Sequence, residues 1–377
     1  MARWSSAHAS RYYHLLTKVA ELGHDVFVLQ PPSRGSIEAN DIDVTLQGHP
    51  RVHVTTVSIS PWFWNARFPL EKLVKKMYYS LRCRPYVKRM VSKDSVDLLY
   101  LYNLPQAIYL FGKRPRVVFD LADDLLGMLK TELSITEQHP LYRLAARCLN
   151  WMIKQADVVI CISGPLFERI VHPRKYIIPN GANLPADGFP VQPTGKHEAR
   201  KLLVGYVGAF EYSMALDLVV DAALRLPDVN FVLIGAGREY PRIASLVRER
   251  KLRNVELTGA LPHDEAMRII SGTDICLNLF VKSDVSHAVS PLKLFEYLSF
   301  KKPVISTRLR EIERINRDFL YFGDTVEELV DAIRHIATHK EEALAKAQRG
   351  YEAVASDFSW GRIAQDFLTA VSFPSAQ

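Results

Sequence analysis

Cysteine is scarce in this 377-residue chain, and the four present, Cys83, Cys148, Cys161 and Cys276, stand far apart with no C-x-x-C spacing. That excludes a disulfide scaffold, a zinc knuckle and a dithiol redox pair, and a reducing cytosolic setting fits best. Long apolar runs are missing too. No window approaches the roughly 18 to 20 apolar residues of a membrane span, and the opening MARWSSAHASRYYH has no core for a signal peptide. Any membrane contact is therefore expected to be peripheral. Low-complexity tracts and short repeats are absent, and with 48% hydrophobic and 24% charged residues the chain has the balance of a globular protein with real cores. No His/Asp/Glu cluster has metal-ligand spacing, so no metal site is expected.

Acidic residues are short in the first half alone. Residues 1–180 hold 24 Lys and Arg against 15 Asp and Glu, and the remainder holds 24 against 26, so the whole +7 excess lies in the first half. Between Pro61 and Lys93 the only acid is Glu71, among Arg67, Lys72, Lys75, Lys76, Arg82, Arg84, Lys88, Arg89 and Lys93. Trp62, Phe63, Trp64, Phe68, Tyr78, Tyr79 and Tyr86 are interleaved with them. Basic side chains beside amphipathic aromatics suit an anionic lipid surface. A solvated basic helix with aromatics packed on a sheet, or a nucleic-acid surface, would read the same way.

Short apolar runs alternate with helical segments throughout, which predicts parallel α/β layers. Strands are expected at 26–29, 52–57, 98–102, 117–121, 158–163 and 176–178, then at 202–207, 231–235, 255–258, 275–280, 304–307 and 320–322. Two doubly wound domains follow, joined at the Pro- and Gly-rich stretch 179–196. Arg11 to Leu22 reads as a helix with Leu15, Leu16, Val19 and Leu22 on one face and Gly23 as its C-cap. Nothing strand-like precedes it. Either the chain is an N-terminally shortened form or the first sheet is built without that strand.

The most informative segment is SPLKLFEYLSFKKPVIST, 290–307. Ser290 and Pro291 read as the N-cap and first position of a helix, Leu292, Phe295 and Leu298 as its buried face, and PVIST as the next strand. Such a helix aims free N–H groups and its positive dipole end at a diphosphate. Lys293 adds a mobile charge there, and Glu296, one turn on, can accept from two ribose hydroxyls. An ordinary amphipathic helix with exposed Lys and Glu is the alternative.

The pattern Pro291, Lys293, Glu296, Tyr297, Lys302, Pro303, Val304, Ile305 resembles the donor-site helix and following strand of GT-B glycosyltransferases, especially bacterial enzymes of polysaccharide synthesis. AELGHDVFVL (20–29), ADVVICIS (156–163), IIPNGAN (177–183), VGYVGAF (204–210), VNFVLIGAG (229–237) and NVELTGALPHDE (254–265) resemble further pieces of that family in the same order. The resemblance implies an α/β protein with two Rossmann-like domains facing a cleft, the first strand of the N-terminal domain missing. An acceptor domain would span 1–180, a nucleotide-sugar domain 181–356, and a last helix within 357–377 would cross back to the first domain. Donor contacts are implied at Gly208, Gly235, Gly237, Arg238, His263, Ser290, Pro291, Leu292, Lys293 and Glu296, with His263 in a loop near the nucleotide base. A dehydrogenase reading of LIGAGREY would need glycine where Tyr240 stands.

Departures leave the stereochemistry open. The large retaining branch carries an E-x7-E motif whose second member corresponds to Glu296 and whose first falls where this chain has Ala288, and its diphosphate-holding Arg and Lys correspond to Ala209 and Met214. Lys293, then Arg238, are the expected substitutes for the lost positive charge. In VVFDLADDLLGM, Asp120, Asp123 and Asp124 cluster at a strand end. Asp123 or Asp124 is the candidate base that an inverting transfer needs, because crowded acids raise one another's pKa; capping of the next helix is the plain alternative. His8, Arg11 and Asn103 are implied at the acceptor site, the last able to bind but not to take a proton. The implied activity is transfer of a sugar from a nucleoside diphosphate sugar to a glycan or lipid-linked hydroxyl, with no cofactor and no metal, by a protein held at the cytoplasmic membrane face through 61–93. The partners are thus a sugar nucleotide, an acceptor and an anionic surface, and no nucleic acid. A nucleotide-sugar epimerase of the same fold and a non-enzymatic basic binding protein are the competing readings.

Overall fold

The computed structural model describes residues 11–32, 49–65, 71–92, 96–102, 104–112, 114–185 and 201–372. The chain divides into two compact units, unit 1 being 1–179 with 363–377 and unit 2 being 180–362. The Pro- and Gly-rich stretch expected to join two domains straddles this division.

Unit 1 opens with α1 (Arg11–Glu21), which leads through Gly23 at φ +99° into β1 (Val26–Gln30). Glycine tolerates that left-handed turn without strain. β2 (Val52–Thr56), α2 (Pro61–Asn65), α3 (Glu71–Ser92), β3 (Leu98–Leu101), β4 (Arg116–Leu121), α4 (Leu125–Leu133), α5 (Pro140–Gln155), β5 (Val158–Cys161), α6 (Gly164–Arg169) and β6 (Lys175–Ile177) follow. Every pairing is parallel, but the strands form two sheets, β1-β2 and β3-β4-β5-β6. The all-buried run VVIC of β5 is what a parallel strand covered on both faces requires. α5 starts with Pro140 after His139, whose ring accepts from the Leu141 N–H, and turns Leu149, Met152 and Ile153 into the core.

Unit 2 holds β7 (Leu203–Val207), α7 (Leu216–Arg225), β8 (Asn230–Ile234), α8 (Tyr240–Glu249), β9 (Val255–Gly259), α9 (His263–Ser271), β10 (Ile275–Asn278), α10 (Leu292–Ser299), β11 (Val304–Ser306), α11 (Arg310–Ile315), β12 (Tyr321–Phe322), α12 (Val326–Thr338) and α13 (Lys340–Ala353). Its single parallel sheet runs β12-β11-β10-β7-β8-β9, the dinucleotide-fold order in which direction reverses between β7 and β10. Side chains alternate across it. Val204, Tyr206, Phe231, Leu233, Ile275 and Leu277 pack with α7, α8 and α12, while Leu203, Val232, Ile234, Cys276 and Val304 pack with α9, α10 and α11. α14 (Trp360–Val371) begins in unit 2 and from Ile363 onward belongs to unit 1, where Phe367 meets the Tyr100 ring edge-on at 6.1 Å.

All twelve expected strand regions are strands in the structure. The helix expected from Ser290 is shifted: it runs from Leu292 and buries Leu294, Phe295, Tyr297 and Leu298, leaving Leu292 half-buried. Fully burying Phe295 and Leu298 contributes about 1.5 to 3 kcal/mol each.

Candidate functional site

Open parallel sheets bind ligands beyond the carboxyl ends of their strands, at the point where strand order reverses. In unit 2 that point lies between β7 and β10, and four segments leave the strand ends around it. Gly208 follows β7, Gly235 to Arg238 follow β8, His263 follows β9, and Ser290 to Glu296 follow β10. The first two are laced together. Gly208 N–H donates to Ile234 O, Phe210 N–H to Ala236 O and Glu239 N–H to Phe210 O, all at 2.9 to 3.0 Å. This contact demands glycine, since a Cβ on Gly235 would lie 1.9 Å from Gly208 O, and one on Gly237 would lie 2.3 Å from Phe210 O.

The loops frame Lys293, in the first turn of α10. Its Nζ lies 4.3 Å from the centre of the Tyr206 ring, 5.0 Å from that of Phe280 and 3.5 Å from Met214 Sδ. A Cβ on Gly208 would come within 3.2 Å of it. Among the described residues no carboxylate forms an ion pair with this ammonium. Burial among rings and sulfur disfavours its charge and lowers its pKa to about 7, with Glu296 only partly opposing the drop. The rings offer weak cation–π attraction and no counter-charge. Tyr206, Met214 and Phe280 form this pocket without having been singled out as donor residues. The strand pattern hinted at Tyr206 and Phe280, which stand in β7 and just beyond β10, while Met214 stands where the retaining branch has a diphosphate-holding lysine.

Glu296, one turn along, accepts from His263 Nε2 at 2.8 Å. That hydrogen bond raises the His263 pKa; burial works against it, and the charges of Glu296 and Asp264 reinforce it. His263 is the first residue of α9, rather than the loop residue expected. Tyr297 is buried and fixes α10 to the sheet, its hydroxyl accepting from Val207 N–H at 2.8 Å.

Three expected donor residues are otherwise engaged. Ser290 does not cap the helix; Pro291 holds that position, and Ser290 Oγ accepts from Asn180 N–H at 3.1 Å while its carbonyl accepts from Asn180 Nδ2 at 2.6 Å. Leu292 begins the helix with its side chain half-buried. Arg238 is exposed and paired with Glu211 at 2.9 Å, so its charge is already compensated.

Unit 1 gathers a second group of polar residues at the carboxyl ends of β3 and β4. Arg11 is 3% exposed: its Nε donates to Asp120 Oδ2 at 2.8 Å and its two terminal nitrogens to Pro179 O and Ile178 O at 2.7 and 2.8 Å. Tyr100 donates a short hydrogen bond to the same Asp120 oxygen. Expected to face an acceptor, Arg11 is spent inside the protein. Asp124 is spent as well, accepting from Gly127 N–H at 2.9 Å as the cap of α4 and pairing with Arg169 at 2.7 Å. Asp123 differs from both. It is exposed at the rim of a cavity, where desolvation first and the Asp120 charge second push its pKa up to about 6, against Lys76 and Arg11. His8 and Asn103 lie outside the described residues. Among those described, no group of His, Cys, Asp and Glu could hold a metal ion.

Two family models match the chain, one described as Glycosyltransferase Family 4 over residues 9–185 and one as Glycosyl transferase-like over 217–369. A stretch of 120 residues is 28% identical to TuaH of Bacillus subtilis, provisionally assigned as a teichuronic acid biosynthesis glycosyltransferase. That match covers 32% of this chain and only 30% of TuaH. Among solved structures, sucrose-phosphate synthase from Thermosynechococcus elongatus superposes with a TM-score of 0.75 at 20% identity, over 95% of this chain and 90% of that one. HepE of Anabaena, solved in complex with UDP and glucose, superposes at 0.66 and 16% identity, over 95% and 94% of the two chains.

The His263–Glu296 pair makes unit 2 stability depend on pH. Because the folded-state pKa of His263 lies above its ordinary 6.5, the charged pair contributes fully below 6.5 and is lost as pH rises through the folded value. Urea unfolding at pH 6 and pH 9 is expected to show wild type losing about 1 kcal/mol more than His263→Gln. Identical losses in the two proteins would remove the ion pair from this account.

Proposed function

The chain belongs to the GT-B glycosyltransferases of group 1 type, and from that premise we propose that unit 2 binds a nucleoside diphosphate sugar whose sugar passes to a hydroxyl of a glycan or lipid-linked acceptor held by unit 1. The observation that carries this reading is Lys293, a cation without an acidic partner among the described residues, in the first turn of α10 at the reversal point of the sheet. A diphosphate there would meet the positive end of the helix dipole and an ammonium whose counter-charge it supplies. Glu296, held by His263, would accept from the ribose hydroxyls. Developing charge on the departing diphosphate would be met by the same ammonium, so the reaction would need no divalent ion. The UDP and glucose bound to HepE make UDP-glucose the first donor to test.

Titration calorimetry with UDP, GDP, dTDP, ADP and CMP, in the presence of EDTA, is expected to give binding of one nucleotide diphosphate and at least a tenfold weaker affinity for Glu296→Ala, about 1.4 kcal/mol. At pH 8 the diphosphate would restore the Lys293 charge, so binding is expected to take up protons, read from buffers of different ionisation enthalpy. No binding of any diphosphate would overturn the proposal.

The chemistry at the acceptor is assigned to Asp123. With a pKa near 6 it is mostly ionised at neutral pH yet basic enough to accept a proton from a hydroxyl as that hydroxyl attacks the anomeric carbon. Asp124 serves the fold instead. Asp123→Asn is expected to lower kcat by roughly 10² to 10⁴ with little change in melting temperature. Asp124→Asn, which keeps a side-chain oxygen to cap α4, is expected to keep most of the activity. Equal losses of activity in the two variants would withdraw the assignment.

We further propose that the acceptor is met at a membrane surface, a reading that α3 supports. Val74, Met77, Leu81, Arg84 and Lys88 share one face of this helix by their three- and four-residue spacing, and all are exposed, Met77 and Leu81 by about half. Trp62 on α2 is 83% exposed. No described helix is long and apolar enough to cross a membrane, whereas an apolar stripe running into basic residues can rest on an anionic leaflet. We therefore place the protein at the cytoplasmic membrane face. It is expected to co-sediment with vesicles containing phosphatidylglycerol and not with pure phosphatidylcholine, and Met77→Glu with Leu81→Glu is expected to abolish this. Equal sedimentation with both vesicles would reject an electrostatic surface contact.

A further inference from the structure

The stretch IIPNGAN, 177–183, carries the chain into unit 2, whose first residue is Asn180. Asn180 is 6% exposed and holds Ser290, 110 residues on, with two groups: its Nδ2 donates to Ser290 O at 2.6 Å and its N–H donates to Ser290 Oγ at 3.1 Å. Ser290 is 5% exposed, so both ends of the contact are shut away from water. The same segment is fixed again two residues later. Ala182 N–H donates to Phe358 O at 2.9 Å, Ala182 O accepts from Trp360 N–H at 3.1 Å, and the Phe358 ring lies 4.9 Å from that of Phe295 on α10. Asn180 thus holds the chain just ahead of α10, while Ala182 is tied through Phe358 to the middle of that helix.

What this brace does follows from how α10 starts. A helix start is ordinarily set by the side chain of the residue flanking it, which accepts from the N–H groups of the first turn. Here that residue is Pro291, which has no such side chain, and Ser290 beside it is turned to Asn180 instead. The proline ring also locks φ, at −75°, so the angle at which the helix departs is passed on rigidly from Ser290. Lys293 stands in the turn that departs at this angle. A diphosphate needs main-chain donors and the ammonium to converge on the same oxygens, and a small misplacement of such groups is costly.

We propose that Asn180 is a positioning residue for the donor: by holding the main chain of Ser290 it sets the direction of the first turn of α10 and of Lys293, and so favours a diphosphate over a monophosphate. This rests on the donor-site reading of unit 2. The amide acts through Ser290 and touches no ligand itself.

The test titrates UDP, GDP, dTDP and ADP, each beside its monophosphate, into the full chain as wild type, Asn180→Ala, Ser290→Ala and Ser290→Thr. For the base that wild type binds, Asn180→Ala is expected to lose about tenfold or more in affinity for the diphosphate and less than about threefold for the monophosphate. Ser290→Ala is expected to lose a smaller part of the preference, and Ser290→Thr, which keeps an oxygen for the Asn180 N–H, to retain it. A residue that only stabilised the fold would weaken both nucleotides alike. Equal weakening, or a diphosphate preference left intact in Asn180→Ala, would therefore overturn the proposal. Should Asn180→Ala fail to fold, Ser290→Ala against Ser290→Thr decides, and the same preference in both would overturn it. A wild type that binds no diphosphate would instead remove the donor-site reading, and this inference with it.

Discussion

Unit 1 depends on one buried ion pair. Arg11 and Asp120 lie 2.8 Å apart with almost no solvent at either side chain, and together they tie the start of α1 to the end of β4, to β3 through Tyr100, and to the chain leaving β6 through two carbonyls. A buried pair of this kind gives little net stability against an apolar substitute, because desolvation offsets the attraction, but loss of one partner leaves an uncompensated charge at a cost of about 3 to 5 kcal/mol. Its value lies in direction. Five donors of fixed geometry accept only one arrangement of strand ends, and that arrangement leaves Asp123 at the cavity rim while Asp120 stays inside.

Asp120, Asp123 and Asp124 thus part company within five residues. Asp120 has a cation and a phenol, Asp124 has a helix start and Arg169, and Asp123 retains neither. Asp123 has the raised pKa because desolvation at the cavity, first, and the charge of Asp120, second, outweigh the pull of Lys76 and Arg11. Unit 2 follows the same logic with opposite sign. Its helix terminus and glycine loops concentrate positive potential, and Lys293 is placed among rings and sulfur where, among the described residues, no carboxylate pairs with it. An ammonium with a pKa near 7 is a charge held at a cost to the fold, because burial disfavours it.

The two units manage their sheets differently. Unit 2 closes six strands into one continuous layer and buries both faces, with Phe231, Leu277 and Phe295 fully inside. Among the described residues the strands of unit 1 form two sheets, β1-β2 and β3-β4-β5-β6, and α3 carries an exposed apolar stripe, a liability in water unless something covers it. The stripe lies in the basic half of the chain.

Much of the fold was legible from residue pattern alone. Continuous runs such as VVIC and NFVLI can only be strands covered on both faces, and Gly235 and Gly237 mark a close approach of two backbones, so the parallel layers and the turn after β8 could be read before any contact was known. The importance of the 290–307 segment was legible too, because helix start, cation and carboxylate occur at fixed spacing along the chain. What pattern could not decide is how side chains spend their hydrogen bonds. Ser290 looks like a cap and instead holds Asn180, 110 residues away; Arg11 looks like a surface contact and instead meets Asp120 and the end of β6; the partner of Glu296 is a histidine 33 residues earlier. Local sequence determined which backbone forms each residue prefers, since those preferences act over three or four positions. Only the tertiary structure decided which charges are compensated, because compensation depends on groups brought together from distant parts of the chain: it pairs Arg11 with Asp120 and Asp124 with Arg169 and leaves Lys293 and Asp123 among the described residues without such a pair.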